Sequence, residues 1–329
     1  MSNDLKPKLV VILGFTGSGK SELGVKLAAE FQGEIISADS RQVYKEMNIG
    51  TGKVEGEWKE KEEEKEDLAY FRGRENNKNQ FVYKNIPHYL IDFLSPAQTY
   101  SVGEFKQAVD ELIEAIGSKK NIPIMVGGTA QYIYAAVDNW QIPKVPPNKS
   151  LREKYELSIK NQEITLDDLW NELIKKDPDA AEFVQREAPR RIIRALEVIN
   201  ATGERFSKLR SKKPPKYEVL LIGISYNRED LYGKIDLRID EMIAMGLEKE
   251  VKEIVKKYSN LAPGLQSIGY REFMPYFKEE VSLDEAIQKI KFNTHRYVRH
   301  QNSWFNKDKR IKWVKNFNQA QSLVKKFLT

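Results

Sequence analysis

Lys8-Leu9-Val10-Val11-Ile12-Leu13 runs directly into Gly14-Phe15-Thr16-Gly17-Ser18-Gly19-Lys20-Ser21, and this stretch decides the fold. The first part is apolar without alternation, as a strand buried on both faces of a sheet requires. The second part fits the pattern G-x-x-x-x-G-K-[ST]. A helix is predicted to follow, from about Gly19 to Phe31. In that setting the glycines let backbone N–H groups wrap a phosphate with no Cβ in the way. The helix N-terminus adds partial positive charge at the same place. Lys20 supplies a point charge for the distal phosphates, and the Ser21 hydroxyl can hold Mg2+. Residues Gly14 to Ser21 are thus expected to hold a di- or triphosphate, in a loop of the kind that binds nucleotides.

Working outward, Glu34-Ile35-Ile36-Ser37 reads as a second short strand ending in Ala38-Asp39-Ser40. A loop region is expected up to about Asn85. A third strand, HYLIDF (88–93), ends near Asp92, a helix follows over 102–117, and IPIMV (122–126) is a fourth buried strand before Gly127-Gly128-Thr129. Strand and helix alternating, with apolar strands, predict a mainly parallel α/β sheet. The pattern changes after the proline-rich IPKVPP (142–147). From 150 to 213 only helices are predicted, and KKPPK (212–216) marks the far end. An apolar strand returns at 217–226. The expected domains are therefore 1–147 with 217–329 as one α/β core, and 148–216 as an all-helical insertion. Beyond 228 the chain reads as mainly helical, with a short strand at 311–314. Asp39 and Asp92, at strand ends, are both candidate carboxylates near a metal.

The chain has 329 residues, no cysteine and three histidines, so disulfides, thiolate chemistry and iron–sulfur clusters are excluded. No apolar run approaches a membrane span. The polar start is unlike a signal peptide. A cytoplasmic monomer is the expectation. The net charge of +6 is unevenly spread. Residues 190–216 carry nine basic and two acidic side chains, and 286–316 carry nine and one. Two basic segments suit a polyanion such as nucleic acid, if they converge. Residues 55–67 are acidic, with eight acidic and three basic side chains.

Several further runs carry a family resemblance. They are Ile36-Ser37-Ala38-Asp39-Ser40-Arg41-Gln42-Val43-Tyr44, Asn48-Ile49-Gly50-Thr51-Gly52-Lys53, Pro87-His88-Tyr89-Leu90-Ile91-Asp92 and Val126-Gly127-Gly128-Thr129-Ala130-Gln131-Tyr132. Arg190-Arg191-Ile192-Ile193-Arg194-Ala195-Leu196-Glu197-Val198, Leu237-Arg238-Ile239-Asp240-Glu241-Met242, Ile268-Gly269-Tyr270-Arg271-Glu272 and Gln301-Asn302-Ser303-Trp304-Phe305 complete the collinear series. Together they resemble the tRNA dimethylallyltransferase family, bacterial type. The resemblance implies a P-loop NTPase-like core with an all-helical insertion gripping the tRNA anticodon stem–loop. It implies transfer of a dimethylallyl group from dimethylallyl diphosphate to N6 of the adenine at tRNA position 37. The phosphate loop would then hold the diphosphate leaving group, with Mg2+ at Ser21. Asp39 matches the general base, and Arg238 a diphosphate arginine. Lys20 and Thr16 complete the expected catalytic set. The matching RNA contacts are Asp39, Ser40, Arg41, Gln42, Thr129, Arg152, Arg190, Arg191, Ile192, Ile193 and Arg194. Thr129 reads equally as a helix N-cap.

His295, Arg296, Arg299, Gln301 and Trp304 are expected to meet the same RNA, although core packing is the better reading of Trp304 and Phe305. Phe15 and Gly17 depart from the family's usual Pro and Ala, and the stretch 54–85 is longer than usual. An adenylate dimethylallyltransferase, a small-molecule P-loop kinase and a non-catalytic RNA-binding protein are the alternatives. The helical insertion and basic C-terminal segment speak against the first, and an intact Asp39 against the last.

Overall fold

The computed structural model describes residues 6–60, 79–209 and 213–329. The later part of the acidic run (61–67) and residues 210–212, including basic Arg210 and Lys212, lie outside that description. The chain forms two compact units, Met1–Val137 with Pro215–Thr329, and Asp138–Pro214.

In the first unit the elements run β1 (Lys8–Leu13), α1 (Lys20–Glu30), β2 (Gly33–Ser37), β3 (Glu57–Glu60), β4 (Asn79–Tyr83), β5 (Ile86–Tyr89), α2 (Val102–Ser118), β6 (Ile122–Gly127) and α3 (Ala130–Val137). The second unit holds α4 (Lys149–Lys160), α5 (Leu166–Lys176), α6 (Pro189–Thr202) and α7 (Phe206–Leu209). The first unit resumes with β7 (Glu218–Ile224), α8 (Arg228–Ala244), α9 (Leu247–Lys257), α10 (Phe273–Phe277), α11 (Leu283–Phe305), β8 (Lys312–Val314) and α12 (Phe317–Leu328).

Eight strands make one sheet in the order β3-β4-β5-β2-β6-β1-β7-β8. From β5 to β8 every pairing is parallel. The β3–β4 and β4–β5 pairings are antiparallel. The central strand β1 is flanked by β6 and β7, and Val10, Ile12, Ile124, Ile222 and Val314 bury one face of the sheet against Leu23, Leu27 and Ala28 of α1 and Val324 of α12. A Cβ at Gly24 of α1 would meet Val126 at 2.7 Å, so the helix lies close on the sheet there.

Two expectations need correction. The expected loop before residue 85 contains β3 and β4. Their signal was weak because β3, EWKE, is charged and only Trp58 on it is not exposed. The strand expected to end near Asp92 stops at Tyr89, because Leu90 (φ 58°) and Asp92 (φ 53°) take left-handed backbone that cannot continue a strand.

In the second unit, α5 is closed by a capping box between Thr165 and Asp168. Helix α6 opens with Pro189 and stops at Gly203, whose φ is 72°. Its core comprises Leu169, Leu173, Ala180, Val184, Ile192, Ile193, Ala195 and Leu196. The unit begins at Asp138 rather than 148. Asn139 accepts from the Lys213 N–H and its side chain donates to the Pro214 carbonyl, tying the two ends of the unit together.

Candidate active site

Parallel strands bring their C-terminal ends to one edge of the sheet, where loops collect. Leu13 at the end of β1 pairs with Gly127 of β6 and Gly223 of β7. The Gly14 loop and the Gly128 turn therefore leave the sheet side by side. Within the loop, Gly17 (φ 75°) and Gly19 (φ 83°) hold left-handed backbone, which favours glycine. Ser18 between them is 1% exposed, and among the described residues its hydroxyl has no hydrogen-bond partner. A buried hydroxyl without a partner is costly, and here it sits inside the glycine-rich loop. Phe15 anchors the loop from behind. It stacks on Trp313 at 6.2 Å and meets the edge of Phe305 at 6.3 Å. An aromatic residue at this position is thereby accounted for.

Lys20 folds across the loop and donates to the Phe15 carbonyl at 2.5 Å. Burial pushes its ammonium down to about 8; Asp39 opposes that shift and Arg238 reinforces it. Arg238 on α8 is also held below its ordinary value by burial, again opposed by Asp39. Asp39 thus stands in the field of both cations. Its Oδ1 accepts the Arg41 N–H at 2.8 Å and the Gln42 N–H at 3.4 Å, a local turn that orients the carboxylate. Tyr297 of α11 is raised to about 12 by burial and by Asp39, and Tyr132 of α3 is raised chiefly by burial, with Tyr44 and then Asp39 adding to it. These phenols are neutral neighbours of the carboxylate.

The Asp39 segment is pinned to the Gly128 turn. Ala38 N–H donates to Val126 O at 2.8 Å, and a Cβ at Gly127 would stand 2.2 Å from Ala38 O. Only glycine permits that approach. The Thr129 hydroxyl accepts from Ser40 N–H at 3.0 Å, so its side chain serves the Asp39 segment. Gln301, 2% exposed, accepts the Thr16 N–H and donates to Gly128 O at 2.9 Å. It bridges the phosphate loop to the turn, and it is not a surface RNA contact. A buried polar residue in a basic helix gives no sequence sign of this role. Gly52 (φ 57°) lies directly under Arg238: a Cβ there would be 1.7 Å from Nη2.

Phe305 is fully buried and Trp304 stacks on Tyr134 at 5.8 Å, the expected packing role. His295 faces Asp236 at 2.9 Å and stacks on Tyr232 at 4.1 Å. Asp92 pairs with Lys53 and accepts from the Trp58 indole at 3.0 Å.

In the helical unit, Arg190 and Arg191 are exposed. Arg152 and Arg194 both pair with Glu197, which is 1% exposed and also accepts the Asn148 N–H. Ile192 and Ile193 are buried in that unit's core, so the expectation that they touch RNA is withdrawn for their side chains.

A phosphate loop and a strand-end carboxylate at the edge of a parallel sheet define a phosphate-loop α/β protein, with the groups around Asp39 as its candidate site. Family comparison is specific. The IPP transferase family model matches residues 75–308, and the isopentenyl transferase model matches 7–76. A tRNA dimethylallyltransferase of Dehalococcoides mccartyi is 39% identical over 93% of this chain and 87% of that protein. One of Carboxydothermus hydrogenoformans is 36% identical over 99% and 97%. The crystal structure of the full-length tRNA isopentenylpyrophosphate transferase of Bacillus halodurans is 30% identical, covers 98% of this chain and 96% of its own, and superposes with a TM-score of 0.66. A eukaryotic dimethylallyltransferase acting on tRNA is 27% identical over 97% and 77%, with a TM-score of 0.71. The chain belongs to the IPP transferase family.

Proposed function

We propose that this chain transfers the dimethylallyl group of dimethylallyl diphosphate to N6 of the adenine at position 37 of tRNAs reading codons that begin with U. A bond forms between the allylic C1 and N6 while the C1–O bond to diphosphate breaks. The N6 proton passes to a base. The observation that carries the reading is the Asp39 carboxylate, oriented by the Arg41 and Gln42 N–H groups and pinned to the Gly128 turn beside the phosphate loop, with Lys20 and Arg238 in its field.

Each group then has a task. Charge grows on the leaving oxygens as the allylic carbon becomes cationic, and Lys20, Arg238 and the loop amides oppose it. The Ser18 hydroxyl gains a phosphate oxygen as partner. The adenine amine is a poor nucleophile, its lone pair being conjugated with the ring, and Asp39 takes its proton as it attacks. The adenine must leave its stack to arrive there, at a cost of a few kcal/mol. Ser40, Arg41, Gln42 and Thr129, packed together beside Asp39, are the groups that would hold it. Arg190 and Arg191, with Arg152 and Arg194, would carry the anticodon stem–loop. Among the described residues no three His, Cys, Asp or Glu side chains cluster as metal ligands. A Mg2+ would therefore be held by diphosphate oxygens and water with the Ser21 hydroxyl, a donor set that suits it. When bound, it would neutralise charge on the diphosphate.

The test offers radiolabelled dimethylallyl diphosphate and Mg2+ to an anticodon stem–loop with A at positions 36 and 37, beside free AMP. Label in the RNA is the expected result. Label in AMP alone would select an adenylate enzyme, and label in neither would overturn the reading.

A further inference from the structure

Residues 48–53 form a tight turn behind the site. Gly52 N–H donates to Ile49 O at 2.9 Å, Lys53 N–H to Asn48 O at 3.0 Å, and the Thr51 hydroxyl to Met47 O at 2.6 Å. On its inner side the turn meets two residues of the proposed machinery. The Gln42 amide donates to the Thr51 and Gly52 carbonyls at 3.4 and 3.2 Å. The Arg238 guanidinium lies against Gly52.

On its outer side the turn presents three successive N–H groups, and one carboxylate takes all three. Glu250 of α9 accepts from Asn48 at 3.0 Å, Ile49 at 2.8 Å and Gly50 at 3.2 Å. The Tyr270 hydroxyl donates to the same carboxylate at 2.6 Å. Tyr270 is fully buried, and its ring fills the space that a Cβ at Gly50 would need, 2.5 Å away. Charged acceptors of backbone N–H groups are about twice as strong as neutral ones. Glu250 is 200 residues from this turn in sequence, so the contact fixes α9 and the turn together rather than merely closing a local loop.

We propose that Glu250, braced by Tyr270, is a positioning residue for transfer: it holds the 48–52 turn so that Gln42 and Arg238 keep their places beside Asp39 and the diphosphate. The idea rests on the function proposed above. Without the carboxylate the three N–H groups lose their common acceptor. The turn relaxes, and with it the carbonyls that orient Gln42 and the surface that seats Arg238.

The experiment combines two readouts on Glu250→Ala, Glu250→Gln and Tyr270→Phe. Amide hydrogen exchange on the free protein reads the anchor independently of catalysis, and faster exchange at 48–52 in Glu250→Ala is expected. Transfer kinetics read the consequence. A misplacement of about 1 Å costs about 10²-fold in rate, so kcat of Glu250→Ala should fall by about that factor, with the two milder variants between it and the parent. The decisive comparison adds Glu250→Ala to a chain already carrying Gln42→Ala and Arg238→Lys. Residues that act through one another are non-additive, and the further loss there should be less than about threefold. Unchanged exchange at 48–52, a Glu250→Ala kcat within about twofold of the parent, or losses that multiply in full would each overturn the proposal. Should Glu250→Ala fail to fold, Glu250→Gln and Tyr270→Phe decide by the same criteria. If the parent transfers nothing to RNA, the proposed function falls, while the exchange readout still decides whether Glu250 anchors the turn.

Discussion

Gly52→Ala tests how tightly Arg238 is seated. The new Cβ would start 1.7 Å from Arg238 Nη2, and real Cβ contacts do not fall below 3.0 Å, so the guanidinium must move by at least 3.0 − 1.7 = 1.3 Å. The obstacle is the far end of a flexible side chain, so the chain folds and the arginine gives way. Two separable effects follow. Alanine in left-handed backbone costs about 1–2 kcal/mol of stability. Displacing a group that serves the proposed diphosphate site by over 1 Å costs about 10²-fold in rate, equivalent to about 2.7 kcal/mol of barrier. Gly203→Ala provides the control for the first effect, since Gly203 has φ 72° and, among the described residues beyond its chain neighbours, no atom lies within 4 Å of its Cβ position. Thermal melts of the two variants should drop alike. Transfer kinetics should separate them, with only Gly52→Ala losing about two orders of magnitude in kcat. A Gly52→Ala enzyme as active as Gly203→Ala would refute the seating of Arg238 against Gly52.

Other expectations follow from the same geometry. Asp39→Ala should remove most transfer while inorganic diphosphate binding, measured by calorimetry, stays near that of the parent. Because Lys20 titrates near 8 in the free protein, diphosphate affinity should weaken as pH rises through that value, and Lys20→Met should lose this dependence. The linkage sign is opposite for folding. The folded pKa lies below the unfolded value of 10.5, so the unfolded chain binds more protons between about 8 and 10.5, and Lys20 becomes less destabilising as pH rises through that window. Neutralising Arg190 and Arg191 should flatten the salt dependence of anticodon stem–loop binding with the melt unchanged. Replacing Arg152 and Arg194 together should instead destabilise the helical unit by about 3–5 kcal/mol and lower its melting temperature, because Glu197 would remain buried without its cations.

Much of this was legible because local pattern and tertiary role coincide. The unbroken apolar run at β1 has to be buried on both faces, and a glycine-rich turn before a helix has few other uses. The helical insertion showed itself between proline-rich segments. The β3–β4 hairpin did not, because an edge strand needs few apolar residues and EWKE carries its charges to solvent. The end of β5 was hidden in Leu90, a fully buried leucine with positive φ that only the surrounding packing can impose. Gln301 read as a possible RNA contact because its neighbours are basic, and nothing local reveals that its amide is spent on Thr16 and Gly128. Ile192 and Ile193 lay within a matched motif, yet they supply its packing. Glu250 left no trace at all, since its partners are backbone groups far away along the chain.

The two rims of the sheet also bear on how the protein behaves at high concentration. An outermost strand offers unpaired peptide groups that invite another molecule to add on. Here β8 offers only three residues, and β3 sets Glu57, Lys59 and Glu60 in solvent along the opposite rim. A second copy docking on β3 would have to strip water from all three charges for a four-residue ladder. Among the described residues the sheet thus ends on this side in a short, charged strand poorly suited to recruit another.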